Sequence, residues 1–242
     1  MIVRRVGKGP RVVWIHGLGE SSVSFEPVIA RMPDYTHVLV DLPGYGRSPW
    51  PAQVPTLAQL ADQLATWLEA EPPAPLVGHS MGGVLATLVA ERAQVRAVID
   101  VDGNLSPGDC TFSAEASSYS EDAFCAHGFA ELRIGVYEDG VASAELRTYF
   151  AALSLASPIA FYRHARELVE LSGGGTLAPR LAALRAPTLF VAGVPEGICA
   201  ASRALLDQHG IRWVGIEPAG HWVYVDQPQR FANELTQFIS ET

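Results

Sequence analysis

Lysine is nearly absent from this chain of 242 residues, in which Lys8 is the single lysine among 17 basic residues. Charged residues make up only 18% of the sequence, below the roughly 25% of an ordinary soluble domain. The 26 acidic residues outnumber the basic ones, so the formal net charge is −9. Because binding to nucleic acid or to an anionic membrane surface needs clustered Lys and Arg, this balance argues against both partners.

Cysteine is also scarce, and long apolar runs are missing. The three cysteines are too few for a disulfide framework, and none of them forms a CxxC pair of the kind that binds metal. No stretch approaches the roughly 18 consecutive apolar residues of a membrane span, and the first residues lack the apolar region of a signal peptide. We therefore expect a cytoplasmic protein, and we expect it to use no metal and no cofactor.

Hydrophobic residues make up 48% of the chain, enough for a large core. Six continuous apolar runs end in glycine or in turn residues, as is typical of parallel strands buried on both faces. These runs cover residues 11–17, 35–41, 74–78, 95–102, 186–193 and 211–216. Amphipathic helical patterns lie between them, and this alternation predicts an α/β fold with a mostly parallel sheet covered by helices on both faces.

One stretch interrupts the alternation. Residues 105–182 contain no clear strand but several helical patterns, and we interpret them as a helical cap inserted over the carboxyl end of the sheet. Residues 1–104 and 183–242 would then form the core, and both parts would belong to a single folding unit.

The motif Gly78-His79-Ser80-Met81-Gly82 follows one predicted strand and precedes a predicted helix. A strand–turn–helix of this form lifts a serine to the top of a parallel sheet, where it acts as a nucleophile. The glycines are needed because neighbouring backbone crowds the turn. We therefore predict Ser80 as the nucleophile; the alternative is a serine that only caps the helix.

A second glycine-rich segment, His16-Gly17-Leu18-Gly19, follows the first long strand. Such a loop can direct backbone N–H groups at a developing oxyanion, together with the residue after the nucleophile. We assign the oxyanion hole to the amides of Leu18 and Met81. His16 is expected to brace the loop, and Asp41 is expected to have a structural role.

A general base is predicted at His221, which follows the last strand on a loop. The remaining histidines lack this setting, and His37 and His209 resemble surface residues.

The base needs a carboxylate to orient it, and two candidates follow neighbouring strands. Asp102 ends the fourth apolar run, whereas Glu196 follows the fifth. Asp102 is preferred, and Glu196 stays open as the alternative acid.

Together these motifs, with Asp41-Leu42-Pro43-Gly44-Tyr45-Gly46-Arg47-Ser48 and Gly220-His221-Trp222, resemble the α/β-hydrolase superfamily in order and spacing. The resemblance implies a serine hydrolase with Ser80, His221 and the oxyanion hole named above. Most members carry an aspartate where this chain has Glu196, while a minority take the acid from the preceding strand, which fits Asp102.

The resulting hypothesis is a hydrolase of a small or medium carboxylic ester, a small-molecule substrate. A C–C bond, thioester or lactone hydrolase would use the same residues, and a non-turnover ligand receptor of the same fold is a further alternative. Four aromatic residues are candidate walls of the substrate pocket: Phe112, Phe124, Tyr149 and Trp222.

Overall fold

The computed structural model describes every residue from Met1 to Thr242. Its centre is a sheet of seven strands in the order β1-β3-β2-β4-β5-β6-β7. Strand β1 lies antiparallel to β3 at one edge, and every other neighbouring pair is parallel. The strands are β1 (Ile2–Gly7), β2 (Arg11–Ile15), β3 (Thr36–Asp41), β4 (Pro75–His79), β5 (Ala97–Val101), β6 (Thr188–Pro195) and β7 (Trp213–Ala219).

Twelve helices connect and cover these strands. Before β5 they are α1 (Glu26–Ile29), α2 (Leu57–Glu69) and α3 (Met81–Ala90). Between β5 and β6 they are α4 (Phe112–Ser117), α5 (Glu121–Ala123), α6 (Phe129–Asp139), α7 (Ala144–Leu153), α8 (Pro158–Gly173) and α9 (Leu177–Ala182). After β6 they are α10 (Ala200–Gln208), α11 (Val223–Asp226) and α12 (Pro228–Glu241). Short 3-10 turns cover Ser22–Phe25 and Pro107–Asp109, and a π turn covers Phe124–Gly128.

The predicted sheet is confirmed, because all six apolar runs form strands within a few residues of their expected limits. Strands β4 and β5 are buried along their whole length, as expected for strands covered on both faces. The helix after Thr56 is also as predicted: the Thr56 side chain accepts a hydrogen bond from the backbone of Gln59, whose own side chain accepts one from the backbone of Thr56.

Residues 105–182 contain helices and no strand. We call them the helical segment. One continuous cluster of 66 buried apolar residues joins this segment to the sheet, and it includes Phe124 and Phe161 of the helical segment and Val77 of β4. No helix in the protein is both long enough and apolar enough to cross a membrane.

One expectation about a side chain is wrong. His37 is 2% exposed and not at the surface. Its Nδ1 accepts a hydrogen bond from the Trp14 indole at 3.1 Å, and its Nε2 donates to the Met32 carbonyl at 2.9 Å. The polar atoms of His37 are therefore satisfied inside the core, an arrangement that depends on tertiary contacts absent from the local sequence.

Candidate active site

Ser80 lies in the sharp turn between β4 and α3, with φ +54° and ψ −120°. This is an unfavourable conformation for a residue with a Cβ atom. The Ser80 side chain makes no capping hydrogen bond to α3, although the residue holds the N-cap position. Since the hydroxyl is not used to start the helix, it is available for chemistry.

The two glycines of the serine motif allow the turn to pack closely. A Cβ atom on Gly78 would lie 2.0 Å from the carbonyl oxygen of Gly82. A Cβ atom on Gly82 would lie 2.1 Å from the carbonyl oxygen of Ile15, at the end of β2. Both contacts are with backbone atoms that are unable to move aside, which is the crowding predicted from the motif.

The Ser80 hydroxyl donates a hydrogen bond to the Oδ1 atom of Asn104 at 3.3 Å. The amide nitrogen of Asn104 in turn donates to the Asp109 carbonyl at 2.9 Å, which fixes the orientation of the Asn104 side chain. No hydrogen bond joins Ser80 to His221 in this structure, although both residues line the same cavity. In this structure the Ser80 hydroxyl is therefore bound to Asn104 and not to His221.

The glycine-rich loop after β2 lies beside the serine. A Cβ atom on Gly17 would be 3.1 Å from the Cβ atom of Ser80. The N–H of Leu18 donates no hydrogen bond within the protein. Met81 is the first residue of α3, so its N–H has no acceptor inside the helix. Two backbone donors therefore flank Ser80 without intramolecular partners, as an oxyanion hole requires.

The loop that carries Leu18 is held from both sides. On the sheet side, the Nδ1 of His16 donates to the Gly17 carbonyl at 2.8 Å, while its Nε2 accepts from the backbone N–H of Leu42. On the other side, the Tyr149 hydroxyl in α7 donates to the Leu18 carbonyl at 3.1 Å. His16 thus braces the loop, as expected, and the helical segment contributes a second support.

His221 follows β7 and lines the cavity together with Ser80. Desolvation in this enclosed site, together with the positive charge of His79, lowers the pKa of His221 to about 3. Its imidazole contacts the backbone of Gly197, a contact that opposes this shift. His221 is therefore neutral near pH 7 and able to accept a proton.

The two candidate acids have different environments. Asp102 is 2% exposed, and its carboxylate accepts a hydrogen bond from the Gly193 N–H at 2.9 Å. Burial, reinforced by Asp100 among other neighbouring carboxylates, holds the pKa of Asp102 well above its ordinary value. Glu196 is exposed, and its side chain makes no hydrogen bond.

Gly197 lies between the preferred acid and the base. A Cβ atom on Gly197 would approach the two carboxylate oxygens of Asp102 to 2.6 and 2.8 Å, and the Gly197 backbone contacts the imidazole of His221. The structure contains no hydrogen bond between Asp102 and His221. It nevertheless brings the buried Asp102 carboxylate to the same glycine that contacts the base, whereas Glu196 precedes that glycine with its side chain exposed at the groove beside His221.

A buried pair of titratable groups, Glu20 and His79, lines the same cavity as the serine. The Glu20 Oε2 atom is 2.9 Å from the His79 Nδ1, and both side chains are 1% exposed. The same carboxylate accepts hydrogen bonds from the N–H of Gly17, the indole of Trp222 and the hydroxyl of Tyr224. Burial alone would raise the pKa of Glu20. These contacts and the neighbouring His79 outweigh burial and lower that pKa to about 2.

The cavity around Ser80 has a volume of about 30 Å³. Three of the four predicted aromatic walls line it. Phe112 stacks on Tyr149 with ring centroids 5.3 Å apart, and Tyr149 contacts Trp222 at 5.1 Å. Leu168 and Leu18 are the other apolar members of the lining. A surface groove of about 500 Å³ shares His221 with the cavity and opens between Glu145 and Glu196.

The fourth predicted wall, Phe124, is not brought to this cavity. Its fully buried ring stacks on Phe161 at 5.8 Å and contacts Phe129 at 5.9 Å, inside the helical segment. Sequence reasoning also missed Glu20 and Asn104. Glu20 directly follows the glycine-rich loop and Asn104 lies two residues after Asp102, so their positions near recognised motifs are the available signals.

A parallel sheet with a strained serine at the end of a central strand, in one cavity with a histidine and beside two free amides, is the arrangement that a serine hydrolase needs. The chain belongs to the alpha/beta hydrolase family, whose model matches residues 12–234. The expected fold is therefore confirmed. So is the expected class of enzyme, a hydrolase acting on carboxylic esters.

Among curated proteins, the chain is similar to the pimeloyl-[acyl-carrier protein] methyl ester esterase of Aeromonas hydrophila, with 28% identity covering 98% of each chain. It is 25% identical to the 2-succinyl-6-hydroxy-2,4-cyclohexadiene-1-carboxylate synthase of Serratia proteamaculans, over 95% of this chain and 93% of that protein. Among solved structures, a thermophilic esterase from Thermogutta terrifontis matches with a TM-score of 0.81 at 20% identity, over 99% of this chain and 93% of that one.

Proposed function

We propose that this enzyme hydrolyses a small, uncharged carboxylic ester through an acyl-enzyme at Ser80. The observation that carries the proposal is the position of the Ser80 hydroxyl, at the strained turn before α3 and inside a cavity that also contains His221. The proposal keeps the small-molecule substrate and the cytoplasmic location predicted from the sequence.

In the first half of the reaction, the Ser80 hydroxyl leaves Asn104 and turns toward His221, which takes its proton. The serine oxygen attacks the ester carbonyl and forms a tetrahedral intermediate. The amides of Leu18 and Met81 stabilise the oxyanion, each contributing about 3–4 kcal/mol, as donors of this type do elsewhere. His221 then gives its proton to the leaving alcohol, and the acyl group remains on Ser80.

In the second half, His221 activates a water molecule that attacks the acyl-enzyme and releases the acid. Asp102 serves as the acid partner of His221, and a small movement of the Gly197 backbone would let the carboxylate meet the imidazole. The support for Asp102 over Glu196 is its burial, together with the contact that both Asp102 and His221 make with Gly197. The imidazolium formed during the reaction needs such a carboxylate.

The size of the cavity supports a short acyl group. A volume of about 30 Å³ holds only one or two water molecules, so we expect a short acyl group that enters as the side chains around the cavity move aside. The groove beside His221 offers the leaving alcohol a route to solvent. Neither the cavity nor the groove is lined by a lysine or an arginine, which supports an uncharged substrate.

A fluorophosphonate probe tests the nucleophile. We expect the wild-type protein to gain the mass of one adduct, and Ser80→Ala to gain none. Ser24→Ala serves as the matched control, because Ser24 is also buried but lies outside the cavity. An unlabelled wild type, or a labelled Ser80→Ala variant, would refute the proposal.

A further inference from the structure

The pair formed by Glu20 and His79 touches three of the loops that build the site. His79 ends β4 directly before the serine, Glu20 follows the oxyanion loop, and both contact the loop that carries His221. Neither residue reacts with substrate in the proposed mechanism. The inference below rests on the proposed role of His221 as the base.

Both ring nitrogens of His79 face groups that accept hydrogen bonds. Nδ1 lies 2.9 Å from a carboxylate oxygen of Glu20, and Nε2 lies 2.8 Å from the backbone carbonyl oxygen of His221. A carbonyl oxygen only accepts, so Nε2 carries the hydrogen of the bond to His221. The Tyr224 hydroxyl also lies 3.1 Å from Nδ1, so His79 is joined at once to Glu20, to Tyr224 and to the loop of the base.

The Glu20 carboxylate has enough donors to remain charged inside the protein. Its Oε2 accepts from His79 and from the Gly17 N–H at 2.6 Å. Its Oε1 accepts from the Trp222 indole at 2.5 Å and from the Tyr224 hydroxyl at 2.8 Å. A buried ion pair is favourable only when further hydrogen bonds satisfy its charges, and here four donors surround one carboxylate.

We propose that Glu20 and His79 form a buried, hydrogen-bonded pair that positions the catalytic base. The Nε2–H of His79 donates a hydrogen bond to the backbone carbonyl of His221 and keeps it in place. The Glu20 carboxylate accepts hydrogen bonds from Trp222 and Tyr224, which follow His221 in the chain. The same carboxylate accepts a hydrogen bond from the Gly17 N–H, so one buried side chain fixes the positions of both the base and the oxyanion loop. Both members of the pair are positioning residues.

The ring of His79 also acts on the base directly. The imidazole rings of His79 and His221 have centroids 4.6 Å apart, so positive charge on His79 opposes protonation of His221 and lowers its pKa. Other titratable groups also surround His221, and the variants below leave them unchanged. They are Asp102, Asp109, Glu145, Tyr149, Glu196, Tyr224 and Asp226.

The first test reads the hydrogen bond from His79 to the loop of the base in the wild-type protein. With ¹⁵N-labelled histidine, we expect the Nε2 of His79 to give the chemical shift of a protonated nitrogen, because the His221 carbonyl only accepts. The signal is assigned by its absence in His79→Gln. An unprotonated Nε2 would overturn the proposal. This result does not depend on Ser80, so it remains interpretable even if the fluorophosphonate experiment fails.

The second test is kinetic and uses Glu20→Gln and His79→Gln. We expect kcat to fall about 10- to 100-fold in each variant, with KM changed less than about twofold, because a displaced base slows chemistry more than binding. The acid limb of the kcat/KM profile of His79→Gln should move to higher pH, since His221 loses a positive neighbour and becomes easier to protonate.

His164→Gln is the matched control, because His164 is equally buried and makes two hydrogen bonds, to Tyr45 and to Pro55, away from the cavity. It should leave the acid limb in place. A limb that is unmoved in His79→Gln, or moved equally in His164→Gln, would contradict the positioning role. If His79→Gln fails to fold, the kinetics of Glu20→Gln and the NMR measurement on the wild-type protein test the positioning role. Activity that survives in His221→Ala would refute the proposed base itself and leave the buried pair of Glu20 and His79 intact.

Discussion

Ser80 and Asp102 are the two non-glycine residues of this protein with positive φ angles, +54° and +45°. They occupy equivalent places, because each is the residue directly after one of the neighbouring parallel strands β4 and β5. Their backbone N–H groups donate to Val101 and Val191, on the next strand in each case, and both bonds are 2.9 Å long. Since such conformations cost about 1–3 kcal/mol each, a pair at the carboxyl ends of these strands supports the active site proposed there.

The identity of the acid can be tested by comparing Asp102→Asn with Glu196→Gln. We expect Asp102→Asn to lower kcat by up to about 10⁴-fold, because the base loses the carboxylate that orients it and stabilises its charged form. Glu196→Gln should change kcat less than about twofold, since Glu196 is exposed. Steady-state kinetics with a chromogenic ester measures both. A large loss confined to Glu196→Gln would assign the acid to Glu196.

The pH profile of kcat/KM reports the protonation of the free base. The pKa of His221 is lowered to about 3, so the neutral form that accepts the serine proton persists as the pH falls. We expect constant activity between pH 8 and pH 5, with an acid limb well below the ordinary histidine value near 6.5. Circular dichroism at each pH separates this limb from acid unfolding. A limb near 6.5 in folded protein would contradict the expectation.

Gly82→Ala should destabilise the protein by about 3 kcal/mol, since the new methyl group would lie 2.1 Å from the Ile15 carbonyl oxygen. The matched control is Gly135→Ala in α6, where a Cβ atom would have no neighbour within 4 Å. This control should stabilise the helix by about 0.5–1 kcal/mol. Urea unfolding measures both changes. Similar effects of the two substitutions would exclude backbone crowding as the reason for Gly82.

The absence of basic side chains around the cavity predicts selection against anionic esters. We expect kcat/KM for methyl butyrate to exceed that for monomethyl succinate by at least about 100-fold, because an unpaired carboxylate is costly to bury. Thr111→Arg adds a positive charge at the cavity wall and should lower this ratio of kcat/KM values. Ser118→Arg adds the same charge at an exposed position of the helical segment and should leave it unchanged. Equal rates for the two esters in the wild type would overturn the uncharged-substrate proposal.

Much of the sheet could be predicted from the sequence because parallel strands are buried on both faces and therefore appear as continuous apolar runs. Ser80 was predictable because its glycines are fixed by local backbone crowding, which leaves a local motif. Glu20 was not, since the meaning of its carboxylate depends on His79 and Trp222, which lie 59 and 202 positions away in the chain. Phe124 and His37 were misjudged for the same reason, because burial against distant residues decides their roles.

The hydrogen bond from Tyr149 to the Leu18 carbonyl has a consequence for how this enzyme can change its substrate. The segment that lines the pocket also supports the loop that carries an oxyanion donor. A segment transplanted from another family member would therefore have to supply a hydroxyl at the same point, or catalysis would decline along with the old specificity. Recombination that keeps α7 and replaces only α4 and the turn before it should be the easier route to a new substrate range.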